Sequence, residues 1–198
     1  MKLRALGAVA AAVLLMTVLA GCRTNVGTAA VIDGHRVTES DVSSYITPAA
    51  QPVTVQTSSS GATIKESPRS FVVRELIYDR LFRALLAHTG SGVPTDGQLS
   101  AQLRRDLNGQ SEDQAARRLG VKGYAAKFDA LLLRVQVLQQ LLGAQIQHGL
   151  DIAALVKKVH LPVTVKPRYG KWNPQKLSFD GSTAIPPYLT VQSGGAAQ

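Results

Sequence analysis

Apolar residues fall into distinct rhythms along this chain, and each predicts a different element. Ala29, Ala30, Val31 and Ile32 form an unbroken apolar run that reads as a strand. Asp33-Gly34 is the pair best suited to a type I′ hairpin turn, and His35-Arg36-Val37 returns from it. Thr38, with Asp41 three positions on, is a capping-box variant that starts a short helix ending at Tyr45 or Ile46. Ser67-Pro68 sets an N-cap before a proline at the first helical position. Phe71, Val72, Leu76, Ile77, Leu81, Phe82, Leu85 and Leu86 then recur near helical spacing until Gly90-Ser91-Gly92. Thr95 caps a helix carrying Leu99, Leu103 and Leu107, and Ser111 caps another that stops at Gly120.

The longest helix is expected over residues 121–146. Tyr124, Phe128, Leu131, Val135, Leu138, Leu142 and Ile146 make one stripe, and Leu132, Leu133, Val137 and Leu141 widen it beyond one face. Such a helix is either central in a bundle or offers an apolar strip to a partner. Residues 151–159 form a last short helix, and Val163 and Val165 alternate in a strand between Pro162 and Pro167. Residues 47–66, rich in Pro, Ser, Thr and Gly, read as a mobile loop, and residues 178–198 as a disordered tail. The fold class is mainly α with a small β element. The hairpin over residues 29–37 needs a third strand to be stable, and the strand at Val163 and Val165 is the one available.

Composition narrows the field. With 198 residues and 45% hydrophobic content, the chain is one domain, or a domain plus flexible ends. A single cysteine excludes internal disulfides, zinc ribbons and CxxC redox chemistry. Lys2 and Arg4 precede an apolar run from Ala5 to Ala20, broken only by Thr17, and small residues lead to Cys22. That order describes a secretory signal peptide, and the run is shorter than a spanning helix requires.

Leu19-Ala20-Gly21-Cys22 resembles the lipobox of bacterial lipoproteins. The resemblance implies a diacylglycerol on the Cys22 thiol and cleavage before it. The protein would then be held at the extracytoplasmic face of the cell membrane by its acyl chains. The expected organisation is a signal peptide over 1–21, a lipidated tether over 22–28, a domain over 29–177 and the tail.

This address governs the reading of the charge. The formal charge of +9 would ordinarily suggest nucleic acid, but an exported, tethered chain rarely meets it, and the aromatic-interleaved basic motifs of nucleic-acid modules are missing. No nucleic-acid partner is expected. Residues 152–180 hold Lys157, Lys158, Lys166, Arg168, Lys171 and Lys176 against one acidic residue. They face anionic lipid headgroups or acidic polypeptide, or are simply a solvated basic face.

Catalytic constellations are missing. His35, His88, His148 and His160 lie in separate elements without metal-ligand spacing. Glu112-Asp113 is an acidic first helical turn, favoured by the helix dipole. No glycine loop suits a phosphate and no Ser sits in a nucleophile elbow. The expectation is a protein without enzyme activity and without a cofactor or metal.

Three further stretches resemble the N-terminal chaperone domain of SurA-like and PrsA-like foldases. They are Ala30-Val31-Ile32-Asp33-Gly34 with Val37-Thr38-Glu39-Ser40-Asp41, the run from Glu75-Leu76-Ile77 through Leu81-Phe82 to Ala87, and Leu119-Gly120-Val121 before the long helix. Pro167-Arg168-Tyr169-Gly170-Lys171-Trp172 is similar to the closing motif of actinobacterial lipoproteins with this domain. Many members carry a parvulin prolyl isomerase domain before the closing segment, but the joint between Ile146 and Leu161 is too short for one. The resemblance therefore implies holding of unfolded or newly exported polypeptide without isomerase activity.

Phe128, Leu132, Val135 and Leu142 are the candidate lining of a client groove. Tyr169 and Trp172 are either an aromatic-basic client patch or packing anchors, with Arg168 pairing a carboxylate. The alternative function is an adaptor or scaffold lipoprotein for one envelope partner. A large exposed apolar patch would favour the chaperone, and a smaller polar-rimmed pocket the adaptor.

Overall fold

The computed structural model describes residues 27–56, 63–90, 92–159, 161–174 and 178–179. The expected signal peptide, Cys22, most of the expected tether, His160, Lys176 and residues 180–198 of the expected tail lie outside them. In chain order the elements are β1 (Thr28–Ile32), β2 (His35–Thr38), α1 (Glu39–Ser44), β3 (Val53–Gln56) and β4 (Thr63–Glu66). They continue with α2 (Pro68–Ala87), α3 (Asp96–Leu107), α4 (Glu112–Arg118), α5 (Ala126–Gln147) and α6 (Ile152–Lys158). The chain closes with β5 (Val163–Val165), a 3-10 turn η1 (Pro167–Tyr169), β6 (Trp172–Asn173) and β7 (Ser178–Phe179). The fold is mainly helical with a small antiparallel sheet.

Asp33 and Gly34 both take positive φ, +50° and +74°, the geometry a type I′ turn demands. β1 thereby becomes the middle of a three-stranded sheet ordered β2-β1-β5, antiparallel throughout. Val163 pairs with Ile32 and Val165 with Ala30, so the expected partnership of hairpin and closing strand is present. The Asp33 amide donates to the Pro162 carbonyl at 2.8 Å, and Lys166 to Ala29 at 3.0 Å. Ala30 and Ile32 are buried in the same core as Val42 of α1, and α1 starts at the expected Thr38–Asp41 capping box.

Two long helices, α2 and α5, run parallel. Phe71 meets Phe128 at 5.4 Å between ring centroids near their N-terminal ends. Asp79 faces Arg134 halfway along, and Leu86 and Leu141 share a cleft near the C-terminal ends. Parallel neighbours need a return path, and α3 provides it. Leu99 lies by Leu141 and Leu103 by Val137, so α3 runs antiparallel to α5. Ser67, Thr95 and Ser111 cap their helices as expected, and Asp151, expected inside the last short helix, caps it instead. α5 packs against α2, α3 and α4 together, which explains why its apolar stripe exceeds one face. It is the central helix.

Residues 47–66 differ from the expected loop. Val53–Gln56 and Thr63–Glu66 pair antiparallel as β3 and β4. Val53 and Val55 alternate with Thr54 and Gln56, but each strand is only four residues long and the Ser-rich connection hides the pair. The expected tail likewise begins inside the fold, since Trp172 pairs with Phe179 and Phe179 is buried.

Gly123 locks the entry to α5. Its φ is +77°, and a Cβ there would lie 2.1 Å from the Ala49 carbonyl oxygen. Only glycine permits so close an approach. Around it, Gln51 N–H donates to the Lys122 carbonyl at 3.2 Å and Ala125 N–H to Tyr45 at 3.0 Å.

Candidate functional site

The structure removes the expected client groove. Phe128 and Leu142 are 0% exposed, and Leu132 and Val135 are buried as well. Phe128 stacks on Tyr124 at 4.7 Å and meets Phe71 and Tyr45 edge-on. These four side chains are core, because α5 is covered from several sides and little of its wide stripe is left over.

Tyr169 and Trp172 are buried too, which corrects their reading as a client patch. Trp172 packs edge-on against Phe179 at 5.5 Å, and its buried indole N–H has no hydrogen-bond partner among the described residues. Tyr169 and Arg168 both donate to Glu39, and Arg69 reaches the same carboxylate at 3.4 Å. Burial acts to raise the Glu39 carboxyl, but the hydrogen bonds from Tyr169 and Arg168 outweigh it and hold the group below its ordinary range. The motif from Pro167 to Trp172 thus fastens the end of the domain to the start of α1.

Apart from Ile64 on β4, the exposed large apolar side chains of the described residues lie on either side of α3. A cleft of about 410 Å³ is floored by Leu86, Leu99, Val93 and Leu141. A second, of about 290 Å³, is floored by Leu103, Leu107, Leu119, Leu133 and Val137 between α3, α4 and α5. Val93, Leu119 and Leu141 are 43%, 43% and 37% exposed, so each cleft opens to solvent through a large apolar side chain. Gln98, Gln102 and Gln145 stand around the first cleft and Gln110, Gln136 and Gln140 around the second. A carboxamide both donates and accepts, which matches the alternating N–H and C=O of an extended main chain without imposing a charge. Arg105 at the first cleft, and Asp106 and Arg118 at the second, add limited charge.

Sequence reading missed this surface because Leu141 and Leu119 are indistinguishable in pattern from the buried leucines beside them. The available signal was the glutamine content of α3 and α5. It marks the face of α5 that is neither core nor strongly charged.

A buried charged cluster lies elsewhere, under the β3–β4 hairpin. Arg74 donates through Nε and Nη2 to Glu75 Oε1 at 3.2 Å each, and through Nη1 to Glu66. Its guanidinium also sits 4.8 Å from the Phe71 ring centroid. One cation is shared by two carboxylates, and burial pushes both carboxyls above their ordinary range despite Arg74. Burial works against the charge on Arg74, but Glu75 and Glu66 more than restore it. Burial, helped by Glu66, likewise raises the nearby Tyr124 phenol, whose hydroxyl donates to the Gln51 carbonyl at 3.0 Å. Among the described residues no three His, Cys, Asp or Glu side chains converge as a metal ion would require. No described helix is long and apolar enough to cross a membrane.

Compared with known proteins, the chain matches no family model, no curated protein and no solved structure.

Proposed function

We propose that the chain is a non-enzymatic, lipid-anchored binder of exported polypeptide, held at the extracytoplasmic face of the membrane through Cys22. The observation that carries the reading is the pair of glutamine-rimmed apolar clefts flanking α3. Each cleft takes one or two apolar side chains of an extended segment while the amides engage its main chain. A buried side chain contributes roughly 1.5–3 kcal/mol and a hydrogen bond about 0.5–1.5 kcal/mol. Ordering the segment offsets much of this, so binding is weak, roughly micromolar or weaker. The resemblance of the opening and closing motifs to SurA-like and PrsA-like N-terminal domains, together with a closing strand on the opening hairpin, supports a holdase of that type without an isomerase domain.

A second reading, an adaptor for one defined envelope partner, is favoured by a specific observation. The clefts are small and polar-rimmed, and most of the wide stripe on α5 is core. A photo-crosslinking residue at position 141 in cells, with one at exposed Ile64 as control, separates the two. Many unrelated exported clients captured at 141 and not at 64 support the holdase. One recurring partner supports the adaptor. Capture no greater at 141 than at 64 rejects the clefts.

A further inference from the structure

The geometry points to a second surface: the end of the domain that receives the tether is a cationic face that seats on an anionic lipid surface. This rests on Cys22 as the lipidated residue, and it adds how the domain is oriented once anchored.

The Gly27 carbonyl accepts from the Glu39 amide at 2.6 Å, which fixes where the tether enters the fold. Lys166 is brought beside that entry by its amide bond to the Ala29 carbonyl. Arg168 follows on η1 and pairs with Glu39, and Arg69 reaches the same carboxylate from the first turn of α2. Lys171 extends the same closing segment and is exposed. Arg69 and Arg168 keep about half of their side-chain surface in solvent, 52% and 56%. Among the described residues, Glu39 faces Arg69, Arg168 and Lys166 together, and Asp41 faces Lys127. The surplus at this end is positive.

Covalent reach makes a lipid surface the partner. Four residues separate Cys22 from Gly27, and the five Cα–Cα steps span at most about 18 Å. An anchored chain cannot carry this face far from the headgroups, and the negative potential of anionic lipids acts within about a Debye length of them. Lys157 and Lys158 are placed differently. They end α6, which leads to Pro162 beside the hairpin turn, at the opposite end of β1. The described basic residues between 152 and 180 therefore do not form one patch. Seating has a consequence for the clefts. From Arg69 to Leu86, α2 spans about 25 Å, so the larger cleft is held well away from the face that meets lipid.

The test uses the mature chain, residues 22–198, with Cys22→Ser so that no acyl group masks the interaction. Cosedimentation is measured with vesicles of phosphatidylcholine containing about one-third phosphatidylglycerol, and with phosphatidylcholine alone. The expected result is binding only to the anionic vesicles, lost in high salt. Lys166→Gln and Lys171→Gln should each weaken it about 5-fold, and together about 25-fold. Lys157→Gln with Lys158→Gln should change it by less than about 2-fold, with matching circular dichroism and melting curves for every variant. Equal binding to both vesicle types, equal loss in the Lys157 and Lys158 pair, or binding to polyglutamate without binding to vesicles overturns the proposal. Because this chain lacks the lipid, its result is independent of whether Cys22 is acylated.

Discussion

The Lys166 amide donates to the Ala29 carbonyl at 3.0 Å, and this bond joins the closing segment to the strand that opens the domain. The two ends of the fold are therefore one structural unit. Truncation after Leu150 would strip β1 of β5 and remove the buried Leu155, Val159, Leu161, Tyr169, Trp172 and Phe179. At roughly 1.5–3 kcal/mol for each large apolar side chain, the loss matches the whole stability of an ordinary domain, about 5–15 kcal/mol. The truncated chain should show no cooperative thermal transition by circular dichroism. An unchanged melting temperature would contradict the pairing.

Gly123 and Gly120 make a controlled comparison, since both have φ near +80° but only Gly123 has backbone against it. Gly120→Ala should cost about 1–2 kcal/mol, the left-handed penalty alone. Gly123→Ala adds a collision with Ala49 and should cost about 2–4 kcal/mol. Urea unfolding of the two variants reads the difference, and equal losses would mean that the strap over residues 45–51 yields freely.

Local signals made most of the fold legible. Asp33-Gly34 dictates its turn, and Thr38, Ser67, Thr95, Ser111 and Asp151 dictate helix starts through side chains that satisfy free amides. What stayed illegible depended on tertiary contact. β3 and β4 are four residues each, too short for their alternation to stand out beside the Ser-rich stretch between them, and β6–β7 is too short to have a period. Whether Leu132 or Leu141 would face solvent was not written in α5 at all. It depends on where α3 lies, and that follows from packing.

The Glu66–Arg74–Glu75 cluster gives a pH signature with a definite sign. Burial holds both carboxyls above the ordinary 4.5, so the folded state binds a proton more readily than the unfolded chain. Stability on this account rises as pH falls from neutral toward 4.5. Below that value the lowered carboxyls of Glu39, Asp41 and Asp96 take over, and stability falls as they protonate. Melting temperature should therefore peak on the acid side of neutral. Glu66→Gln, which keeps an acceptor for Arg74, should flatten the rise without loss at neutral pH. Arg74→Met leaves Glu75 buried without its cation and should cost about 3–5 kcal/mol. A melting temperature flat between pH 7 and 5 in the parent chain would remove the argument.

The proposed lipidation of Cys22 predicts a localisation result. Cys22→Ala removes the only thiol in the chain, and no other side chain can take the thioether-linked lipid. Fractionation should find the variant either uncleaved or released as soluble exported protein. Processing before position 22 with retention in the membrane would refute the assignment.

Core and cleft variants separate stability from binding. Phe128 is 0% exposed among three aromatic partners, and truncating such a side chain costs about 3–5 kcal/mol. Phe128→Ser places a hydroxyl in that void and should lose the fold, so any loss of binding there says nothing about a site. Leu141 and Val93 already meet solvent, and serine at either should alter stability by less than about 1 kcal/mol. If extended polypeptide binds across the clefts, Leu141→Ser with Val93→Ser should abolish suppression of aggregation of a denatured reporter while the urea midpoint stays put. The pair sits on one cleft, so a Leu119→Ser variant on the other reports whether a client spans both. Full suppression by all three substitutions combined would move client binding off this surface, because the apolar anchors the clefts offer to solvent would then be gone.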